Sequence, residues 1–265
     1  MFRLPMTTRI LLAAGLIALA ACTGSRTSLG GEVKYGATAE EDYDLGKKAM
    51  DRSDWVEAQT LLEHVRTKYP FSKFAALSEL RLADAKFKQD KFLEAGEAYA
   101  GFVKLHPGHE EADYADYQSA LCSVKDAPSD FALFPPAEEK DLKAVRVAAE
   151  KLQAFVKGRP ESKHRPEAEK MLQTARDRLA AHEWYVADFY LRRRRWAGAA
   201  GRLEGLLKDY PGTSNEPEVM LRLARAYQAM NEDFRAQQAV QRLLARYPDD
   251  PRRAEAEALL AALRK

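Results

Sequence analysis

Histidine and cysteine are the residue types best suited to metal or nucleophilic chemistry, and this chain has few of them. The 265-residue sequence contains five histidines and two cysteines. His106 and His109 stand three residues apart in the segment HPGHE and could supply two metal ligands. No third ligand follows at a spacing typical of a zinc site, so the segment is more simply a turn after a helix. We predict no metal site.

Sequence motifs typical of catalysis are also missing. The chain has no Gly-x-Ser-x-Gly elbow, no phosphate-binding loop and no Cys-x-x-Cys pair. His64, His164 and His182 stand alone on polar faces of predicted helices, and no recognisable motif places a histidine with a serine. We therefore predict that the protein is not an enzyme and needs no cofactor.

The first cysteine follows a segment typical of secretion. Arg3 and Arg9 precede an apolar run, residues 10–21, that is shorter than the ~20 residues of a membrane-spanning helix and fits a signal peptide. Residues 19–22, LAAC, resemble the lipobox of bacterial lipoproteins. We expect residues 1–21 to be removed and Cys22 to carry N-palmitoyl and S-diacylglycerol groups. The alternative is an ordinary signal peptide with a coincidental cysteine.

The residues after Cys22 indicate where such a lipoprotein would lie. Thr23, not aspartate, follows the cysteine, and the sorting rule of enteric bacteria then favours the periplasmic face of the outer membrane. Residues 23–39 are rich in glycine and serine, so residues 22–39 are predicted to be the lipidated cysteine and a flexible tether. With Cys22 acylated, Cys122 has no intrachain partner, and its apolar surroundings predict a small buried side chain.

Five alanines recur in register along the chain. Each stands 12 residues before a proline, and the prolines lie 37, 53, 51 and 37 residues apart. The alanines are Ala58, Ala95, Ala148, Ala199 and Ala236, and the prolines are Pro70, Pro107, Pro160, Pro211 and Pro248. In a tetratricopeptide repeat this alanine is the position where two helices cross and only a small side chain fits. The register therefore predicts five helical hairpins that end near these prolines.

Apolar side chains around the alanines follow the period of a helix. They recur at i, i+3 and i+4 spacing, as in Leu61, Leu62 and Val65, and no stretch alternates as a strand would. The sequence predicts an all-α protein, a tetratricopeptide-like, right-handed superhelical solenoid over residues 40–265. A stack of this kind has a concave face suited to binding other polypeptides.

Two segments exceed the 37-residue period. Residues 126–141 contain Pro128, Pro135 and Pro136, which cannot lie inside a helix, so we expect a long loop between the two helices of unit three. Residues 166–195 begin with a proline and contain no later helix breaker, which predicts one long opening helix in unit four.

The charge of the chain gives little indication of its partners. The 42 lysines and arginines and 40 aspartates and glutamates are interspersed, and the two arginines of residues 1–21 account for the difference. The exception is the run Arg192 to Arg195, which is either a solvated face or a patch that attracts an acidic partner. We do not expect nucleic acid to be a partner.

Together these features resemble the BamD family, the lipoproteins of the β-barrel assembly machinery. The shared features are the lipobox, the tether, the five units, the insertion in unit three and the long helix of unit four. Segments that support the resemblance are 54–58, 68–71, 105–109, 177–190 and 201–211. The resemblance covers roughly residues 38–250.

The resemblance implies a lipid-anchored periplasmic scaffold at the outer membrane. Such a scaffold holds the POTRA domains of the barrel-shaped BamA subunit, works beside other Bam lipoproteins and receives unfolded outer-membrane proteins. It implies that Arg202, in the second helix of unit four, pairs with an acidic residue of BamA. Tyr190, Arg192 and Arg193 belong to the same hairpin, and we extend the predicted BamA-binding surface to them.

The first helices of units one and two predict a site for client peptides. The positions that face the groove of a tetratricopeptide superhelix are occupied by Tyr43, Lys47, Met50, Leu80, Phe87 and Lys88. An apolar, aromatic strip with lysines suits an extended peptide that ends in an aromatic residue and a carboxylate. The alternative is that Tyr43, Leu80 and Phe87 pack within the superhelix.

Two other functions stay open at this point. A periplasmic tetratricopeptide adaptor that coordinates cell-wall synthesis or envelope integrity would share the fold, although such proteins often have a coiled coil and no heptad pattern is visible here. A lipoprotein enzyme that acts on the cell wall is disfavoured by the lack of a catalytic motif.

Overall fold

The computed structural model describes residues 33–127 and 142–264, and within these ranges the chain forms eleven helices and no strand. The predicted signal peptide, Cys22 and most of the predicted tether lie outside the described residues. The helices are α1 (Ala39–Asp51), α2 (Trp55–Lys68), α3 (Lys73–Lys88), α4 (Phe92–Leu105), α5 (Ala112–Asp126), α6 (Lys143–Gly158), α7 (Arg165–Arg192), α8 (Trp196–Asp209), α9 (Glu216–Ala229), α10 (Asp233–Arg246) and α11 (Arg253–Ala262).

The first ten helices form five hairpins, and each helix contacts the one that follows it in the chain. The five register alanines are 0–2% exposed, as a position where two backbones cross requires. The bulky residues four positions later are buried as well: Leu62, Tyr99, Leu152, Leu203 and Val240. The predicted all-α, tetratricopeptide-like solenoid is confirmed.

Side chains at the helix starts fix where the first three helices begin. Thr38, Asp54 and Ser72 each accept a hydrogen bond from a backbone N–H in the first turn of α1, α2 and α3. These bonds satisfy donors that a helix start otherwise leaves unpaired.

The last residues of the predicted tether are fixed to α1. The backbone N–H of Gly36 donates to Asp42 Oδ1 at 2.6 Å, and that of Ala37 donates to Glu41 Oε2 at 2.6 Å. Both carboxylates lie in the first turn of α1, where negative charge is favoured. The prediction that the tether reaches residue 39 is therefore wrong, because residues 36–39 belong to the folded unit.

Both departures from the repeat period lie where the sequence predicts them. Helix α5 ends at Asp126 and α6 begins at Lys143, and the two helices contact each other, so the insertion separates the helices of unit three. Residues 128–141 lie outside the described residues. The long opening helix of unit four is α7, with 28 residues, and it ends at Arg192 instead of residue 195.

The hairpin turns explain why α7 ends early. Four non-glycine residues in the described ranges have a left-handed backbone: Ser53 (φ 58°), Asp90 (φ 58°), Arg194 (φ 54°) and Asn231 (φ 59°). Each stands between the two helices of its unit, 17 residues before the terminal proline. The left-handed residue stops the first helix and reverses the chain. Small polar residues tolerate this conformation better than arginine does.

We expect Arg194→Gly to stabilise the fold. Glycine adopts a left-handed φ without steric penalty, so the free energy of unfolding should rise by about 0.5–1 kcal/mol. The matched control is Arg195→Gly, which removes the same charge at a position with a φ of −88°. Urea denaturation followed by circular dichroism measures both variants. Equal destabilisation of the two would contradict the prediction.

Helix α11 follows the last repeat and is not indicated by the alanine register. Ala256 is fully buried against the preceding helices, and Gln237 Nε2 donates to the Leu263 carbonyl oxygen at 2.7 Å. The ion pair between Arg225 of α9 and Glu255 joins α11 to unit five. None of the helices in the described ranges is long and apolar enough to cross a membrane.

Candidate functional site

A cavity of about 340 Å³ lies between the first helices of units one, two and three. It is lined by Lys47, Met50 and Asp51 of α1, by Arg81, Asp84, Phe87 and Lys88 of α3, by Tyr99 of α4, and by Tyr114 and Gln118 of α5. Four of the six residues predicted for the groove are therefore brought together. We call this space the α1–α3–α5 cavity.

Leu80 and Tyr43, the other two predicted groove residues, do not line the cavity. Leu80 is fully buried in a cluster with Ala95 and Tyr99, because α4 and α5 cover α3 at this level. Tyr43 is 7% exposed, and its ring packs against Phe74 with centroids 5.4 Å apart. The prediction that these two side chains face the groove is wrong, and the packing alternative holds for both.

The floor of the cavity is a buried hydrogen-bond network around Asp84. The hydroxyls of Tyr99 and Tyr114 donate to Asp84 Oδ1 at 2.6 and 2.9 Å, and Arg81 Nη1 donates to Oδ2 at 2.5 Å. Arg81 also reaches Glu111 at 3.4 Å. The network joins α3, α4 and α5, and it orients both tyrosine hydroxyls toward Asp84.

Burial sets the protonation of the two tyrosines in this network. Burial, and then the negative charge of Asp84, raises the pKa of Tyr114 to about 12, and the same two causes raise the pKa of Tyr99 further. Both tyrosines therefore stay neutral donors at physiological pH. Arg81 offsets the charge of Asp84. The remaining charged residues that line the cavity are Lys47, Lys88 and Asp51, so the two lysines outweigh the one aspartate and the mouth of the cavity is positively charged.

The second predicted surface lies on the hairpin of α7 and α8. Arg202 is half-exposed on α8, and its Nη1 atom donates to Glu183 Oε2 at 3.2 Å. Tyr190 packs over Gly198, where an added Cβ would meet the tyrosine ring at 2.9 Å. Glu183 and Tyr190 are seven residues apart on α7, about 10 Å along the axis. Arg202 and Tyr190 therefore lie on the same hairpin but at different levels of it, and each contacts a different residue.

The arginine run makes local contacts at the end of α7. Arg192 Nε lies 2.9 Å from Asp188 Oδ2, and the Arg193 guanidinium lies 3.6 Å from the centroid of the Phe189 ring. Phe189 is 42% exposed, and Tyr185, one turn earlier on the same face, is 38% exposed. The sequence analysis did not identify these two aromatics, although their i, i+4 spacing is visible in the sequence.

Four of the histidines contact neighbouring side chains or backbone groups within the fold. His106 Nε2 lies 3.0 Å from Glu79 Oε2, and His109 Nδ1 accepts from the Glu111 N–H, as expected for a turn. Two histidines that were predicted to stand alone do not: His64 lies 3.6 Å from Asp42, and the ring of His164 stacks on Tyr117 at 4.3 Å.

Two further observations concern reactive groups. Burial raises the pKa of the Cys122 thiol to about 11, so the sulfur stays protonated and weakly nucleophilic. In the part of the chain that the structure describes, no group of three or more His, Cys, Asp or Glu side chains could hold a metal ion.

Helical hairpins that cross at small residues, with a cavity open between their first helices, define a tetratricopeptide-like repeat protein. The family described as "YfiO: Outer membrane lipoprotein" matches residues 36–243, and the chain belongs to this family.

Curated relatives match most of the chain. The outer membrane protein assembly factor BamD of Neisseria meningitidis serogroup A is 28% identical over 92% of this chain and 92% of its own length. The protein of the same name from Vibrio cholerae is 27% identical over 82% of this chain and 90% of its own. The one from Caulobacter vibrioides is 27% identical over 75% of this chain, which spans 63% of that relative.

Solved structures of other repeat proteins are similar at lower levels. The TPR2AB domain of yeast Sti1, in complex with pHSP90, has a TM-score of 0.41 and 13% identity over 85% of this chain and 82% of that one. MamA from Desulfovibrio magneticus RS-1 has a TM-score of 0.38 and 15% identity over 82% of this chain and 100% of that one.

Proposed function

We propose that this chain is a lipid-anchored scaffold of the β-barrel assembly machinery on the periplasmic face of the outer membrane. In this role it binds the POTRA domains of a BamA-like barrel protein and unfolded outer-membrane proteins, beside other Bam lipoproteins. Family membership supports the location, and the relatives named assembly factor BamD support the machinery. The acyl groups on Cys22 would hold the scaffold to the membrane without a spanning helix.

The observation that carries the client part of the proposal is the pairing of apolar and cationic groups in the α1–α3–α5 cavity. Phe87 and Met50 supply the apolar wall, and the Phe87 ring meets Phe92 edge-on at 5.4 Å. Lys47 and Lys88 are exposed at the same cavity. A peptide that ends in an aromatic side chain and a carboxylate would place the ring against Phe87 and the carboxylate near the lysines.

The client site is tested by binding of a carboxy-terminal peptide from an outer-membrane barrel protein. We expect the double variant Lys47→Ala, Phe87→Ala to bind the peptide at least about tenfold more weakly, since a lost charge contact and a lost aromatic contact each contribute about 1 kcal/mol. Isothermal titration calorimetry gives the dissociation constants.

The matched control for this experiment replaces the same residue types outside the cavity. Lys48→Ala, Phe234→Ala removes an exposed lysine of α1 and a phenylalanine of α10 that is 71% exposed. This control should bind as the unchanged protein does. Unchanged affinity in a folded Lys47, Phe87 double variant would end the assignment of the client site to this cavity.

The BamA-binding part of the proposal places the partner on the α7–α8 hairpin. Arg202 is exposed enough to exchange Glu183 for a carboxylate of the partner, and the exposed arginines Arg192 to Arg195 extend the positive surface. Exposed Phe189 and Tyr185 add an apolar strip beside them. A protein interface needs both elements, because apolar contact supplies affinity and charge supplies orientation.

A further inference from the structure

Gln118 is a lining residue of the α1–α3–α5 cavity that neither the sequence analysis nor the proposed function uses. It lies on α5, and its carboxamide oxygen Oε1 is buried without a hydrogen-bond partner among the described residues. Leaving a buried acceptor unpaired destabilises the fold, so native proteins rarely do so without a reason.

In this structure no donor of the neighbouring side chains pairs with the Gln118 oxygen, although Arg81 Nε is buried without a partner as well. The Tyr99 and Tyr114 hydroxyls donate to Asp84, and Arg81 donates to Asp84 and Glu111. The cavity thus combines tyrosine hydroxyls that are already engaged with two buried groups, the Gln118 oxygen and Arg81 Nε, that have no hydrogen-bond partner among the described residues. This contrast indicates that Gln118 pairs with a molecule from outside the fold.

The chemistry of a carboxamide selects the kind of ligand. Its oxygen accepts hydrogen bonds and its NH₂ group donates, so it pairs in a two-bond ring with any group that offers a donor and an acceptor on the same side. The N–H and C=O of one residue in an extended chain point to the same side and form such a group, as they do in a β-ladder, whereas a carboxylate has no donor for Oε1. A carboxylate would instead be drawn to Lys47 and Lys88, which line the same cavity.

We propose that Gln118 binds the main-chain N–H and C=O of one residue of an extended polypeptide in the α1–α3–α5 cavity. The N–H of that residue donates to Oε1, and Nε2 donates to its carbonyl oxygen. This inference rests on the proposed function, since it takes the polypeptide to be the client. A main-chain contact is the same for every residue type, so Gln118 gives affinity without sequence preference. Phe87 and the two lysines give the preference for a terminal aromatic residue and carboxylate.

Peptides methylated at single backbone nitrogens test the proposal, because methylation removes one N–H and leaves every side chain in place. Binding of a barrel-protein carboxy-terminal peptide is measured for the unchanged protein and for Gln118→Met, which keeps the length of the side chain but cannot form either bond. We expect Gln118→Met to bind about tenfold more weakly. Methylation at one position should weaken binding to the unchanged protein about tenfold and leave binding to Gln118→Met unaffected.

Two further variants complete the design. Gln118→Glu keeps the acceptor and loses the donor, so it should remain sensitive to that methyl group and also covers the case in which Gln118→Met fails to fold. Gln238→Met changes an exposed glutamine of α10 and should match the unchanged protein. We also expect Gln118→Met to be at least as stable as the unchanged protein, because the variant no longer has a buried unpaired acceptor.

The outcomes distinguish failure of the Gln118 contact from failure of the proposed client binding. If the unchanged protein fails to bind the unmethylated peptide, the proposed client function fails. If it binds, but every methylated peptide loses the same factor with the unchanged protein and with Gln118→Met, the client function stands and the amide contact is overturned. Water would then be the partner of the Gln118 oxygen.

Discussion

Replacing Arg202 by glutamate should abolish co-purification of the protein with the POTRA domains of the BamA-like partner that we propose. The new carboxylate would repel the acidic residue of the partner and would also stand beside Glu183, to which Arg202 now donates at 3.2 Å. Reversing one member of a buried charge pair at an interface costs about 2–5 kcal/mol, so the affinity should fall at least about 30-fold. Surface plasmon resonance with the isolated POTRA domains measures the loss.

The contact with Glu183 allows a control that separates folding from binding. The double variant Glu183→Arg, Arg202→Glu restores the ion pair within the hairpin with reversed polarity, and we expect it to be as stable as the unchanged protein but still unable to bind. Glu183→Gln releases Arg202 and should bind at least as tightly as the unchanged protein. Retained binding by the double variant would mean that the interface lies elsewhere.

Replacing Asp84 by alanine should cause a large loss of stability. It removes the acceptor of Tyr99 and Tyr114 and the main ionic partner of Arg81 at one step. Removing one partner of a buried ion pair costs about 3–5 kcal/mol, because the other charge stays buried. Urea denaturation should therefore show a free energy of unfolding lower by about 3 kcal/mol or more.

Asp51→Ala is the matched control for this variant. Asp51 lines the same cavity but is exposed on α1, and its replacement should change the free energy of unfolding by less than about 0.5 kcal/mol. The triple variant Arg81→Met, Asp84→Leu, Tyr99→Phe should recover part of the loss, because it removes most of the polar groups that Asp84→Ala leaves unpaired. An Asp84→Ala protein as stable as the control would show that the network contributes nothing.

The hairpins could be predicted from the sequence because each repeat needs a small side chain at one fixed position. Each crossing of two helices needs a small side chain, and the same column supplies alanine in every unit; all five alanines are buried. The two irregular units followed from proline as well, since Pro128 and Pro136 cannot lie in a helix and Pro166 can begin one. These are local rules, and they apply before any tertiary contact forms.

Depth within the stack could not be predicted in the same way. Counting positions along α3 gives the face on which Leu80 lies, but not that α4 and α5 cover this level of the helix. Phe234 shows the opposite case, since it is a large aromatic side chain on α10 and is nevertheless 71% exposed. The repeat register predicts the helix face on which a side chain lies. Its burial depends on whether a neighbouring helix packs over that part of the helix.

The Asp84 network and Gln118 depend on pairs that are distant in the chain. Tyr99 and Tyr114 stand 15 and 30 residues after Asp84, on two other helices. No spacing rule connects them, because three helices must pack before the hydroxyls meet one carboxylate. The unpaired oxygen of Gln118 is invisible to pattern reasoning for the same reason, since a lack of partners is a property of the packed structure.

The connection between α5 and α6 affects how the sequence of this protein can change during evolution. The two helices pack together although residues 127–142 separate them in the chain. The entropy of closing a connection rises slowly with its length, by only about 0.6 kcal/mol for each doubling. Lineages can therefore lengthen, shorten or replace this connection while the remaining hairpins keep their packing and their spacing.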